Sequence, residues 1–578
     1  MSRKSSLLSS LSEAREQVTS EIIRPSASSR PENRNAEIPF DDVLQQSGVH
    51  LPDHLSTKTS RWISLLTIAI SGSFASGPIA SWPTLEPILI KEGVFAGPTQ
   101  QNDLTTLYSF ATCVALIAIF IGGIAFDVLG PKAVAVGGAF GAAACLLLMG
   151  AAIKIQSLNY LLWFAYPLAS LFGFVQSLGS LSWLWLLPDD QNTVNACVGA
   201  IQAVSDAFVL VAVFMNSEYG LRLPVYFFLV ACLSCLAGLI SWAMVPSRQL
   251  HRQVSAVVVS YQCLEATNDR DYGAIAELHA QTVSQEDSYW NALYESGSVV
   301  KHACYCCARV HPVPTSLFAV YIVFWYMNVA TFTFDMYPFY EAFVGKVDAV
   351  RLVDIWGILF AFIGAISLFL FGRFVDYAGF VMAFAFAQIP VAAANCLLHF
   401  PNMNTQIAAQ VLYAFLQNTW SVVIPRFCLS YAPPELIGTL FGLASTAMGV
   451  GQIVMTSLSK KVISIVVTHM AQHGYVKPAL SYFLAFDFWA SLSLVSSLAL
   501  LVYWCNYPPP QPGSTTMVDI LSASTDDPNM RSEDMERALE KMPLQTLWHR
   551  RLQHQKPAHT SMHERVVTSK RSDGFESR

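Results

Sequence analysis

The sequence predicts an all-α polytopic membrane protein in which twelve transmembrane helices form two pseudo-symmetric six-helix bundles. Three observations predict it. Apolar residues make up 53% of the 578-residue chain and charged residues only 13%, about half the roughly 25% of a soluble protein. Twelve apolar stretches reach the about 20 residues that a helix needs to cross a hydrocarbon core of about 30 Å. One loop pattern also occurs twice, as Gly123-x-x-x-Asp127-x-x-Gly130 and as Gly372-x-x-x-Asp376-x-x-Gly379, each position recurring 249 residues on. Duplicated bundles of this kind build a path between their halves.

Residues 1–61 are polar, with serines at 5, 6, 9, 10 and 12, and read as a disordered cytoplasmic tail open to phosphorylation. No short apolar stretch with a cleavage site precedes the first span, which is expected to act as its own insertion signal. Spans at about 62–90, 104–126, 131–153, 159–187, 193–216 and 222–246 make the N-terminal bundle, 62–246. A polar central loop, 247–313, leads to the C-terminal bundle, 314–504. Its spans fall at about 314–342, 350–372, 379–400, 405–430, 436–463 and 478–504. Residues 505–578 form a second cytoplasmic tail, with a weak amphipathic pattern near Leu539–Leu552. Short connections make neighbouring spans antiparallel. With both termini and the loop cytoplasmic, that side holds 26 of the 34 lysines and arginines, the sign the positive-inside rule requires, although the bias fades near the helix ends. The plasma membrane is the expected location, with an intracellular membrane as the alternative.

The composition excludes other classes. The net charge of −6 comes without a basic stripe, so nucleic-acid binding is not expected. No nucleophile–base pair, metal box or phosphate loop rises above chance, so neither an enzyme nor a cofactor or metal is expected. The cysteines fall mostly one to a span, as Cys113, Cys145, Cys197, Cys396 and Cys428 do, and read as buried thiols rather than a disulfide framework. The run HACYCCARVH holds His302, Cys304, Cys306, Cys307 and His311. Its spacing is tight for zinc; free thiols are expected, with palmitoylation beside the membrane as the alternative.

The repeat extends beyond the loops. Phe174-Val-Gln176-Ser parallels Phe415-Leu-Gln417-Asn, and Gly199-Ala-Ile-Gln202 parallels Gly442-Leu-Ala-Ser445, at offsets of 241 and 243. Polar side chains at mid-span must face protein or a wet cavity. The seventh span carries Tyr321, Trp325, Asn328, Thr331 and Asp335 at helical spacing, and the fourth carries Gln176, Ser180 and Trp183. The tenth offers Gln417, Asn418, Trp420 and Ser421, and the fifth Gln202, Ser205 and Asp206. Gln176 and Gln417, one from each half, are the leading candidates to touch a solute; the alternative is that they only tie helices together. In the first span, Gly77, Pro78 and Ser81 loosen the helix and free backbone groups that suit a zwitterion. No cation stands at mid-span, which disfavours a dianion. Asp206 and Asp335 are the candidates for proton coupling, because a desolvated carboxyl can load and release a proton. Asp487 is expected to pair with a lysine such as Lys460.

The segment GGIAFDVLGPK, residues 122–132, resembles the loop signature of the major facilitator superfamily between helices two and three. Gly123, Asp127, Gly130 and Lys132 match it, whereas Val128 replaces the usual basic residue. The second copy, Gly372, Asp376 and Gly379, lacks the trailing basic pair. SWPTLEPILIKEGVF (81–95), the run GPKAVAVGGAFGAAACLLL and PELIGTLFGLAS (434–445) are similar to the facilitators of large neutral amino acids and their parasite relatives. The sugar-porter signature after helix six is missing, where the chain reads VPSRQL, and helix one lacks the Glu-x-x-Glu-Arg of peptide transporters. The resemblance implies a carrier of neutral, large or aromatic amino acids working by alternating access. It implies a cavity lined by spans one, four, seven and ten, with Ser445 of span eleven beside it. It also implies that Asp127 latches one side shut at the start of helix eleven, near Pro434 and Glu435. By pseudo-symmetry Asp376 would meet the start of helix five near Asn192. The alternative for both aspartates is a local cap at the membrane surface. Another small organic solute, moved with or without protons, and a non-transporting nutrient sensor are the competing functions.

Overall fold

The computed structural model describes residues 40, 41, 44, 47–80, 82–205, 207–267, 289–473 and 479–510; those from 47 onward belong to one unit. Every regular element among them is a helix, the form that satisfies backbone polar groups where water is absent. Eleven of these helices are long and apolar enough to cross a membrane. Span 1 supplies a twelfth crossing in two pieces, Lys58–Ala80 and Trp82–Lys91. Spans 2 and 3 are Gln100–Leu129 and Pro131–Lys154. Span 4 runs over Leu162–Leu178 and continues through a 3₁₀ turn to Trp183–Leu186. Span 5 is Gln191–Ser205 with Ala207–Tyr219, and span 6 is Leu223–Met244. Spans 7 to 9 are Pro312–Phe334, Lys346–Ala378 and Phe380–Leu398. Spans 10 to 12 are Met403–Tyr431, Ile437–Gln472 and Leu480–Asn506. Twelve crossings return the chain to the face it started from, and the link between the halves lies there too. We call this the terminus face. The tails up to residue 39 and from 511, including Leu539–Leu552, and Ser81 and Asp206 lie outside the described residues.

The apolar surface is the reverse of a soluble protein's. Span 6 turns Leu229, Leu236, Leu239 and Trp242 outward while its other face buries Ala231, Ser234, Ala237 and Ser241. Span 8 likewise exposes Ile358, Phe362, Ile366 and Leu370, one helical turn apart. Large side chains meet lipid and small ones let the helices approach. At one such approach Ser234 donates to the Ala139 carbonyl of span 3 at 2.9 Å. Between the halves, span 2 packs along span 11, and span 8 along span 5.

Three features differ from the sequence expectation. The polar link is helical at both ends, Arg248–Thr267 and Tyr289–Tyr305, with residues 268–288 outside the described part. Val254, Val257 and Val258 are buried from the first of these, an apolar stripe that the polar average of the link conceals. His251 is buried there too, edge-on to Phe126 at 5.3 Å. Burial, with the Arg252 charge adding to it, pushes its imidazole down to about 4. A base held below its unfolded value of about 6.5 favours the docked helix fully above that pH and loses this contribution as pH falls towards 4. Hydrogen exchange of residues 248–258 should therefore accelerate, relative to the chemical rate, between pH 7 and pH 5. Second, Arg61 belongs to the fold rather than to a tail. It is 2% exposed and donates to the Leu55 and Leu186 carbonyls at 2.8 and 3.2 Å, a cation placed at the C-terminal end of span 4 where it is favoured. Third, Asp487 pairs with His399 at 3.0 Å, not with a lysine.

Candidate functional site

The duplicated loops cross from one half to the other. Asp127 accepts from the backbone N–H groups of Gly438 and Thr439 at 3.0 and 2.7 Å, the free donors at the start of span 11. Asp376 accepts from the Asn192 side-chain amide at 2.7 Å, from the Thr193 N–H at 3.1 Å and from the Thr193 hydroxyl at 2.5 Å, at the start of span 5. The leading glycines allow the approach. A Cβ on Gly123 would overlap the Gly438 carbonyl oxygen, and one on Gly372 would overlap Ala196 and lie 2.8 Å from the Asn192 carbonyl. Four residues apart, each glycine and its aspartate share a helix face. The closing glycines turn the chain into the next span at φ 89° for Gly130 and 84° for Gly379, where a Cβ is strained. Lys132 follows in the first turn of span 3. The spacing thus has one physical reading: close approach, capping carboxylate, left-handed turn.

Beyond the latches lies a cavity between the halves. Its walls come from spans 2, 4, 7, 10 and 11, with Tyr108, Phe174, Trp325, Tyr326, Gln417 and Trp420 among the lining side chains. Among the described residues, none in the lining is charged. Gln417 is the amide among the lining side chains and accepts from the Thr333 hydroxyl at 3.3 Å. Phe174 meets Trp420 edge-on at 6.5 Å, and Trp420 stacks on Phe441 at 6.0 Å.

Of the two amides expected to touch a solute, only Gln417 is among the lining side chains. Gln176 is 3% exposed, and its amide stands against Gly72 of span 1, where a Cβ would overlap it. Gly138 of span 3 packs on its backbone. Gly72→Ala therefore overfills this contact and should cost about 1–3 kcal/mol, read as a lower melting temperature in detergent; an unchanged value would contradict the packing.

Several other expected solute contacts are likewise turned into helix–helix seams. Asn328 is fully buried and accepts from the Tyr413 hydroxyl at 3.3 Å. Asn418 donates to the Ala414 carbonyl at 2.9 Å and sits over Gly364. Ser445 donates to the Phe441 carbonyl at 2.9 Å, and Ser180 to the Ser177 carbonyl at 2.6 Å. Short polar side chains can bond back to carbonyls of their own helix, as Asn418, Ser445 and Ser180 do here. Thr331 and Gln202 are half-buried. The Thr331 carbonyl accepts the N–H of Asp335 at 3.1 Å, where span 7 gives way to the short helix Met336–Val344. Gly77 and Pro78 lie in the last turn of Lys58–Ala80; Pro78 offers no N–H to the carbonyl of Phe74. In the cysteine run, Cys304 is exposed and Cys306 donates to the Tyr431 carbonyl at 3.2 Å.

Two six-span halves, joined by crossed aspartate–helix contacts and enclosing a cavity, define a polytopic membrane carrier. The chain belongs to the major facilitator superfamily, whose family model matches residues 61–456. No curated protein matches the sequence. Among solved structures, the chain is similar to the proton:xylose symporter XylE bound to 6-bromo-6-deoxy-D-glucose. The identity there is 12%, over 81% of this chain and 99% of that one, with a TM-score of 0.54. It is also similar to the human organic anion transporter MFSD10 (TETRAN). There the identity is 13%, over 76% of this chain and 99% of that one, with a TM-score of 0.51. At such identities the likeness is one of fold.

Proposed function

We propose that this transporter moves neutral amino acids with large or aromatic side chains by alternating access. The observation that carries the reading is the cavity lining. Trp325, Phe174 and Trp420 present apolar faces, Gln417 and Thr333 present donors and acceptors, and among the described residues no lysine, arginine, aspartate or glutamate lines the cavity. Such a site suits a solute without net charge and with an apolar side chain. An organic anion would lack a cation there.

Asp127 and Asp376 act as latches in this reading, holding the terminus face closed while the cavity opens to the far side. The terminus face is the cytoplasmic one, as the basic residues favour, and the plasma membrane is the site of action. Uptake of labelled neutral amino acids into vesicles, with and without a pH gradient, tests the proposal. Uptake that ignores the gradient marks a facilitator, and gradient-driven uptake brings in Asp206 or Asp335 as proton carrier. Flux of sugars or nucleosides without competition from amino acids would overturn it, and binding without flux would mark a sensor. Gln417→Ala removes the cavity amide and should raise the half-saturation concentration about tenfold, one charge-assisted hydrogen bond, with little change in maximal rate.

A further inference from the structure

Gln452 of span 11 has no part in the latches and does not line the cavity, yet both ends of its amide are in use. It is 1% exposed. Its oxygen accepts from the Tyr326 hydroxyl of span 7 at 3.1 Å. Its nitrogen donates to the Ser109 carbonyl and hydroxyl of span 2 at 3.3 and 3.2 Å. Tyr326 is a wall of the cavity. One side chain therefore ties the cavity wall to the seam between the two halves.

That seam runs in register from the latch outward. Gly123 meets Gly438, the backbone of Phe120 meets Gly442, and Leu116 meets Gly449. The Thr446 hydroxyl donates to the Ile117 carbonyl at 3.3 Å. Gln452 lies fourteen residues beyond Gly438, about 21 Å along the helix. Halves that part at the latch must stay joined somewhere else. A rigid tilt of about 15° about an axis at Gln452 moves the latch by about 5 Å, beyond the reach of a hydrogen bond. The same tilt barely moves contacts on the axis.

Building on the alternating-access reading above, we propose that Gln452 is a positioning residue at the pivot. It keeps spans 2, 7 and 11 joined at cavity level while the latches open and close, and it passes displacement of the Tyr326 wall to the seam. A polar tie fits this task because its bonds fix register between helices without filling volume.

The test bridges the seam chemically. In a chain whose native cysteines are replaced, Ser109→Cys and Gln452→Cys are joined by a short bis-methanethiosulfonate. A pivot tolerates the bridge: counter-flow should keep at least half the rate of the same double-cysteine chain before bridging. A third thiol, Ala196→Cys, sealed under Gly372 in the seam of spans 5 and 8, should still react with a water-soluble maleimide from the terminus face. Loss of both on bridging, with return on reduction, would overturn the proposal. The maleimide readout needs no solute, so the pivot stands or falls separately from the amino-acid assignment. Gln452→Leu keeps the volume and removes the bonds. It should lower maximal counter-flow about fivefold with the half-saturation concentration within twofold; an unchanged maximal rate would also overturn the proposal.

Discussion

Asp127→Ala is expected to lower maximal transport at least tenfold while changing the half-saturation concentration far less. The carboxylate receives two backbone N–H groups at 3.0 and 2.7 Å from the other half of the molecule. Bonds to a charged group contribute about 1.5–3 kcal/mol each, so losing the pair shifts the closed terminus face by at least 2 kcal/mol. That is a factor of about 30 in the equilibrium. None of the atoms involved lines the cavity, so the solute site keeps its groups and the return step becomes slow. Initial rates across a concentration series in vesicles read both quantities. An unchanged maximal rate with a raised half-saturation concentration would contradict the latch.

Gly123→Val should have the larger effect and act by a different route. Its branched side chain would enter the space of the Gly438 backbone, which cannot move aside without unwinding the first turn of span 11. The halves then cannot meet at the terminus face even though Asp127 is intact. Transport should fall below detection while the protein still inserts, and Ala196→Cys beneath the neighbouring latch should label faster from that face. A variant that transports normally would show that spans 2 and 11 do not need this approach.

What could be read from the sequence follows from how local each signal is. The length of an apolar stretch decides whether it crosses lipid, so the spans were legible, apart from ends such as that of span 11, which runs on to Gln472. The contacts of the two loop aspartates were legible in two steps: the family resemblance implied that the loop after span 2 looks to the start of span 11, and the repeat carried this to the loop after span 8 and the start of span 5. Helix facing was harder. Gln176 and Gln417 occupy equivalent places in the repeat, yet Gly72 of a neighbouring span receives the first and Thr333 the second. A repeat gives the position along a helix, whereas a rotation of 100° per residue and the identity of the facing residue decide where an amide points. Gln452 and Arg61 were invisible for the same reason, since their partners lie in other spans or are backbone carbonyls. The helices of the link escaped because averaging hid the stripe of Val254, Val257 and Val258.

Alternating access requires that the Gln417 chamber meet water on each side of the membrane in turn. Gln417→Cys in oriented vesicles, treated with a membrane-impermeant thiol reagent from one side and then from the other, measures this directly. Reaction from both sides is expected, slowed by a saturating neutral amino acid. Reaction from one side alone, or only with a lipid-soluble reagent, would contradict it.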